Sequence, residues 1–237
     1  MLNPALGTVV ITGATGHLGQ AVAARFAAAG ARLALIGRDP ERLGAIRERL
    51  GPAVEVATYA LDLLRADEVS QMIGAVSARF GRIQSLVNLT GGFSMGPAVH
   101  ETTAADWEQM FDLNTRTTIN CIRATVPGLL AGGGGYIVNC AARAATRGIA
   151  RMAPYCVAKA AVVTLTESLA DELKHQGINV NCVLPGTLDT PQNRAAMPDQ
   201  DPADWVRPEA LADVILFLAS DGARAIHGAA IPVYGRG

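Results

Sequence analysis

Thr8-Val-Val-Ile-Thr-Gly-Ala-Thr-Gly-His-Leu-Gly-Gln-Ala-Val-Ala-Ala-Arg-Phe-Ala-Ala-Ala-Gly30 is the stretch that decides the fold. An apolar run, Val9-Val10-Ile11, stops at Thr12-Gly13; glycines recur at Gly13, Gly16 and Gly19, and an alanine-rich helical pattern follows. The pattern predicts a strand, a tight turn and a helix, so that unpaired backbone N–H groups and the positive end of the helix dipole face an anion. Positions without a Cβ let those amides approach phosphate oxygens, and Gly19 lets the helix lie close to the strand. Thr12, Gly13, Thr15, Gly16, His17, Leu18 and Gly19 are therefore the first candidates for holding a dinucleotide pyrophosphate.

Outward from that stretch, strands alternate with helices. Further strands are expected at Arg32 to Ile36, Val54 to Thr58, Tyr136 to Cys140, Ile178 to Leu184 and Ala230 to Val233, with a fourth in chain order that closes at Leu86-Val87-Asn88. Asp39-Pro40-Glu41 opens a helix with Asp39 as N-cap and Pro40 at its first position. One long helix is expected from about Ala104 to Leu130, another from about Met152 to His175, and a last one from Arg207 to Ala219. The prolines and mixed polarity of Thr187 to Trp205 predict an irregular excursion. Strands that are continuous apolar runs belong to a parallel sheet covered on both faces, so the expected class is α/β, a doubly wound parallel sheet in a single domain over 1–237. Ligands of such a sheet lie beyond the carboxyl ends of its strands, where Thr12, Gly37, Asn88, Cys140 to Ala142 and Pro185 fall.

The chain has 237 residues, 50% hydrophobic and 17% charged, enough for one sizeable core. A net charge of -1 without basic clusters leaves no electrostatic ground for nucleic acid or an anionic membrane as partner. Met1-Leu-Asn-Pro-Ala-Leu6 has no basic leader region and no apolar run approaches the roughly 18 residues that span a bilayer, so the expected location is the cytoplasm. Cys121, Cys140, Cys156 and Cys182 lie in apolar segments without metal-ligand spacing and are expected as free buried thiols, with no metal.

Tyr155 and Lys159 are four residues apart on one expected helix and project from the same face. A phenol titrates near 10, and an ammonium beside it favours the phenolate and brings proton transfer toward neutral pH. The spacing by itself also fits an ordinary surface pair.

Thr12-Gly13…Gly19, Asp62, Asn88-Leu89-Thr90-Gly91, Asn114, Tyr155-x-x-x-Lys159 and Pro185-Gly186-Thr187-Leu188-x-Thr190, in that order and at these intervals, resemble the short-chain dehydrogenase/reductase family over nearly the whole chain. The resemblance implies a three-layer Rossmann-type fold of about seven strands and an NAD(P)-dependent oxidoreductase acting on a small molecule. It implies Tyr155 as proton donor and, with Lys159, a contact of the nicotinamide ribose, Lys159 also lowering the tyrosine pKa. Asn114 holds a water on the proton path; Asp62 and Leu63 flank the adenine; Asn88 and Gly91 border the adenosine side. Pro185, Gly186, Leu188 and Thr190 line the nicotinamide. Each has a plainer alternative: Asp62 as a helix cap, Asn114 as an ordinary helix residue, the Pro185 segment as a turn.

Two positions depart from the family pattern. The serine expected thirteen residues before the tyrosine is Ala142, and His17 replaces a glycine. Losing one donor aimed at developing charge costs on the order of 3 kcal/mol in the transition state. Three readings stand: Thr146, Arg143 or a substrate hydroxyl replaces the serine; the substrate does not need it; or the protein is a nucleotide-binding sensor or scaffold with weak or no turnover. Ala142-Arg143-Ala144-Ala145 and Gly91-Gly92 are locally similar to dihydropteridine reductases, whose conjugated substrates build less charge on one oxygen.

Cofactor choice rests on Gly37-Arg38. A guanidinium beside a neutral strand end suits a 2'-phosphate, so NADP(H) is the expected preference with NAD(H) possible; Asp39, the competing ribose acid, is read as the helix cap. A substrate lid is expected near 187–205 with Met197 and Trp205 in its wall, and Phe93, Ala142 and Arg143 line the same site. Apolar residues on more than one face of the two long helices, Ile119, Ile122, Val126, Val162, Val163 and Leu169, predict a homodimer or homotetramer.

Overall fold

The computed structural model describes residues 6–236; the leader reading of the first residues therefore lies outside the described part. The chain runs β1 (Thr8–Thr12), α1 (His17–Ala28), β2 (Arg32–Gly37), α2 (Pro40–Leu50), β3 (Val56–Ala60), α3 (Ala66–Phe80), β4 (Ile83–Asn88), α4 (Ala104–Phe111), α5 (Thr117–Ala131), β5 (Gly135–Cys140), α6 (Ala153–Leu173), β6 (Ile178–Pro185), α7 (Pro191–Ala196), α8 (Pro208–Leu218) and β7 (Ala230–Val233).

The seven strands form one sheet in the order β3-β2-β1-β4-β5-β6-β7, and every pairing is parallel. Alternate strand residues feed the two faces. Val9, Ile11, Leu33 and Leu35 pack under α1, α2 and α8 through Phe26, Leu43 and Ile215. Val10, Ala34, Ile36 and Ile137 pack under α3, α5 and α6 through Val76, Leu129 and Leu169. Both faces are covered, which is why the strands read as uninterrupted apolar runs. The strand order reverses between β1 and β4, and the crevice at that reversal is where a doubly wound sheet binds ligands.

Asp39 caps α2 by accepting the amides of Glu41 at 3.0 Å and Arg42 at 3.1 Å, with Pro40 at the first helical position. Three boundaries differ from expectation. β3 starts at Val56 because the Val54 amide is spent on a turn, donating to the Gly51 carbonyl at 3.3 Å. The helix expected from Ala104 to Leu130 is interrupted: residues 112–116 form one turn of π-helix between α4 and α5, a local widening that apolar periodicity does not reveal. The excursion expected over Thr187 to Trp205 contains α7, capped by the Thr190 hydroxyl on the Asn193 amide at 3.1 Å, and a 3₁₀ turn at Pro202–Asp204. No helix among the described residues is long and apolar enough to cross a membrane.

Candidate active site

The carboxyl ends of β1, β2 and β4 enclose a cavity of about 520 Å³ whose walls include Gly13, Gly16, Arg38, Asp62, Leu63 and Gly91. Its floor is the predicted glycine turn. Gly13 has φ 65°, and a Cβ there would stand 2.9 Å from the Leu89 carbonyl carbon and the Thr90 nitrogen. A side chain at Gly19 would collide with the Gly13 carbonyl, so α1 lies close against the turn. Gly16 is the N-cap of α1 and no side chain satisfies that cap, which leaves the first amides of the helix for an anion. Thr12 ties the two sides of the crevice together: its hydroxyl accepts the amides of Leu89 at 3.1 Å and Thr90 at 3.3 Å. Thr15 and Arg38 line the cavity, while His17 is exposed and the Leu18 side chain belongs to the core.

At the far wall, Asp62 Oδ1 accepts the Leu64 amide at 3.0 Å, so the carboxylate shapes its own loop and does not cap α3, whose N-cap is Arg65. Leu63 turns its side chain into the core beneath α3. Asn88 is buried, and its Nδ2 donates to Asn139 Oδ1 at 2.9 Å; Asn139 in turn donates to the Thr166 hydroxyl at 3.0 Å. That ladder links β4, β5 and α6 through buried side chains.

Lys159, Asn114 and Gly91 meet at one point. A Cβ on Gly91 would lie 2.8 Å from Asn114 Oδ1 and 3.0 Å from Lys159 Nζ. Asn114 sits in the π-helical turn, where its Oδ1 accepts the Gly92 amide at 3.1 Å and its Nδ2 donates to the Met110 carbonyl at 3.0 Å. Lys159 Nζ donates to the Cys140 carbonyl at 2.9 Å. One turn before it on α6, the Tyr155 ring meets Phe93 edge to face, centroids 5.1 Å apart. Burial lowers the Lys159 ammonium, with the Cys140 and Cys182 thiols opposing. Burial pushes the Tyr155 phenol up, and the thiols of Cys140 and Cys156 add to it. Burial is the largest cause of both shifts, and Lys159 spends a donor on the strand end. The protonated phenol is the form that gives up a proton to a substrate oxygen or nitrogen.

Ala142 is buried with Ala144, Cys156, Met152 and Tyr155. Neither side chain considered as a replacement for the serine faces that cluster. The Thr146 hydroxyl donates to the Arg143 carbonyl at 2.8 Å, and the Arg143 guanidinium lies over the Tyr234 ring at 4.9 Å. Arg143 and Tyr234 line a second cavity, of about 370 Å³, with Thr187 and Trp205 of the lid segment. Met197, half-buried, lines neither cavity. In the nicotinamide-side segment, Gly186 donates to the Val233 carbonyl at 2.9 Å, Leu188 pairs with Val206, and Thr190 is the cap of α7; Pro185 ends β6.

Two contributors escaped the sequence reading. Asn120, buried on α5, donates to the carbonyls of Leu63 at 2.8 Å and Leu64 at 3.3 Å and so fixes the far wall. Its signal is an asparagine beside Ile119, Cys121 and Ile122 in the most apolar part of the helix. Arg42 Nη2 donates to the Thr15 carbonyl at 3.4 Å and places a second cation at the edge of the cavity near Arg38. All four cysteines are free, and no group of three or more metal-binding side chains gathers among the described residues.

A dinucleotide fits these residues: a turn whose close packing admits no Cβ at Gly13 or Gly19, an uncapped helix N-terminus and a cavity lined from both sides of the β1/β4 crevice. The chain matches the model of the family described as short chain dehydrogenase over residues 7–201. It is 32% identical to D-threitol dehydrogenase of Mycolicibacterium smegmatis, over 95% of this chain and 90% of that one. Among solved structures, carveol dehydrogenase from Mycobacterium avium in complex with NAD superposes with TM-score 0.91 at 25% identity, covering 99% of this chain and 98% of that one. L-Sorbose reductase from Gluconobacter frateurii, complexed with NADPH and L-sorbose, superposes with TM-score 0.90 at 29% identity, covering 99% and 97%.

Proposed function

The chain belongs to the short-chain dehydrogenase/reductase family of NAD(P)-dependent oxidoreductases, and from that premise we propose that it reduces a carbonyl or a conjugated, imine-like or quinonoid small molecule with NADPH, Tyr155 donating the proton. The observation that carries this reading is the meeting of Lys159 and Asn114 at Gly91, a wall residue of the cavity built by the glycine turn, with Tyr155 one turn before Lys159 on α6 and its ring against Phe93. NADPH, when bound, supplies the hydride. Gly13, Gly16 and the first amides of α1 hold its pyrophosphate; Asp62, Leu63 and Gly91 border its adenosine; Arg38, with Arg42 beside it, takes the 2'-phosphate. Pro185, Gly186, Leu188 and Thr190 line the nicotinamide, and Lys159 binds its ribose.

The substrate class follows from Ala142. No hydroxyl stands at that position, and the cluster around Tyr155 is apolar with an aromatic edge from Phe93. Such a wall suits a flat conjugated acceptor, in which negative charge is spread instead of concentrated on one oxygen. Segment 187–205 acts as the lid, with Trp205 and Arg143 in the wall of its cavity. The enzyme is assigned to the cytoplasm, in keeping with its four free thiols. It assembles as a homodimer or homotetramer through α4, α5 and α6, whose outer faces expose Phe111, Leu130 and Val157. Of the helix residues first considered for that contact, Ile122, Val162 and Leu169 are core, leaving Ile119, Val126 and Val163 half-buried.

The test is NADPH oxidation by purified protein against simple ketones, aldehydes, quinones and a quinonoid dihydropterin. Turnover concentrated on the conjugated members supports the reading. Turnover confined to simple ketones overturns the substrate class, and NADPH binding without turnover on any of them favours a nucleotide-binding sensor.

A further inference from the structure

Among the described non-glycine residues, Arg151 alone has a positive φ, 64°. A side chain in that left-handed region is strained, and such residues persist where the surroundings over-determine them, often at functional sites. Glycine would adopt the same backbone freely, so the arginine side chain must contribute something that outweighs the strain.

What it contributes is a two-way link to Gly96. The Gly96 amide donates to the Arg151 carbonyl at 2.9 Å, and Arg151 Nε donates back to the Gly96 carbonyl at 3.2 Å. These two bonds join the segment after β4 to the segment that leads into α6. The first segment carries Phe93, whose ring stands edge-on to Tyr155; the second delivers Tyr155 itself, four residues after Arg151. Phe93 is 57% exposed and Met95 61%, so little core packing holds the wall in place. Side chains with so few buried contacts belong to the least stable parts of a fold unless something else fixes them.

We propose that Arg151 is a positioning residue that clasps the 93–98 segment across the mouth of the site, holding Phe93 against Tyr155 and thereby setting which substrates reach the phenol. This rests on Tyr155 being the reacting centre. The clasp itself is a statement about the segment's mobility and is read independently. Arg151 is not among the walls of the dinucleotide cavity, and the clasp predicts an effect on substrate with nucleotide affinity unchanged.

The experiment compares wild type with Arg151→Gly, which keeps the backbone bond, accepts the φ and removes the side-chain arm, and with Arg151→Asn, which tolerates the φ, lacks the arm and keeps a Cβ. Both variants must share the result if the arm, and not glycine's own freedom, is the cause. Gly96→Ala is the control, since nothing lies within 4 Å of a Cβ at that position. Hydrogen exchange of residues 92–98 is read first, without substrate. The expected result is exchange about fivefold or more faster in Arg151→Gly, with β4 unchanged and the melting temperature within about 2 °C. With the best substrate of the panel above, KM rises about three- to tenfold while kcat and the NADPH Kd stay within about twofold. Unchanged exchange overturns the clasp whatever Tyr155 does. Faster exchange with an unchanged KM overturns its bearing on substrate. A Tyr155→Phe enzyme that keeps turnover defeats the catalytic reading while the exchange result stands.

Discussion

Arg38 stands at the end of β2 beside a glycine that has little room to be anything else: a Cβ on Gly37 would lie 2.9 Å from Thr15 Cγ2. A carboxylate at that strand end, the usual partner of an unphosphorylated ribose, therefore meets Thr15, and Asp39 is committed to the α2 cap. The cations Arg38 and Arg42 are left to meet the adenosine ribose. Arg38→Ala is expected to weaken NADPH binding about tenfold or more while NADH binding stays within about twofold, because only the phosphate loses a charge-assisted bond. Titration of both nucleotides by fluorescence checks it, and an unchanged NADPH Kd removes the proposed preference. Ala142 packs among Ala144, Cys156, Met152 and Tyr155, so a serine there would bring a hydroxyl into the cluster that holds Tyr155. Ala142→Ser is expected to raise turnover of simple ketones about tenfold or more and to lower that of conjugated acceptors. A gain on ketones with no loss on the conjugated substrates would count against a site shaped around the alanine.

At the scale of elements, β5 is fastened to the end of α8 by one bond. Tyr136, its ring in the core, donates to Asp221 Oδ1 at 2.5 Å, and Arg224 Nε donates to the same oxygen at 2.9 Å. Burial, and after it the bond to Asp221, pushes the Tyr136 phenol up to about 12. The Tyr136 bond first, then Arg224, holds the Asp221 carboxyl below the usual carboxylate range. A depressed carboxylate contributes stability that is present above its unfolded pKa, about 3.9, and is lost as pH falls through its lower folded value. Tyr136→Phe keeps the ring in the core and removes the bond. Because Asp221 is largely solvated, the expected loss is only about 1–3 °C in melting temperature at pH 7, shrinking toward zero as the pH drops below about 4. Thermal melts of both proteins across that range test it, and a difference that grows in acid would contradict it. The elements themselves were largely legible: continuous apolar runs marked the strands, and Asp39-Pro40 marked the start of α2. The π-turn at 112–116 was not, because its residues, Asp-Leu-Asn-Thr-Arg, carry no breaker and a one-residue widening of the turn leaves no mark in composition. Nor was α7, because Pro191 and Pro198 at either side read as breakers although Pro191 occupies a first helical turn, where proline is at home.

For the molecule as a whole, the reversal of strand order at β1/β4 decides where everything else goes. It brings the glycine turn, Gly91 and the Tyr155 helix to one edge of the sheet, and residues separated by most of the chain length in sequence converge there. The glycine turn was legible from its own local mark, whereas Tyr155, Lys159 and Asn114 were singled out by the order and intervals that resemble the family, since each alone also fits an ordinary helix residue. The supports were not: Asn120 on the Leu63 carbonyl, the Asn88-Asn139-Thr166 ladder and the Arg151 clasp depend on long-range contacts. How far burial acts on the Tyr155 phenol was likewise out of reach, since spacing gives its helix face and packing gives its depth. The central claim is that this assembly moves a proton through Tyr155 during NADPH-dependent reduction. It is tested most directly by steady-state turnover of Tyr155→Phe beside its NADPH affinity. The account predicts a fall in kcat of about 10²- to 10⁴-fold with the NADPH Kd within about threefold; turnover retained in the variant would contradict it.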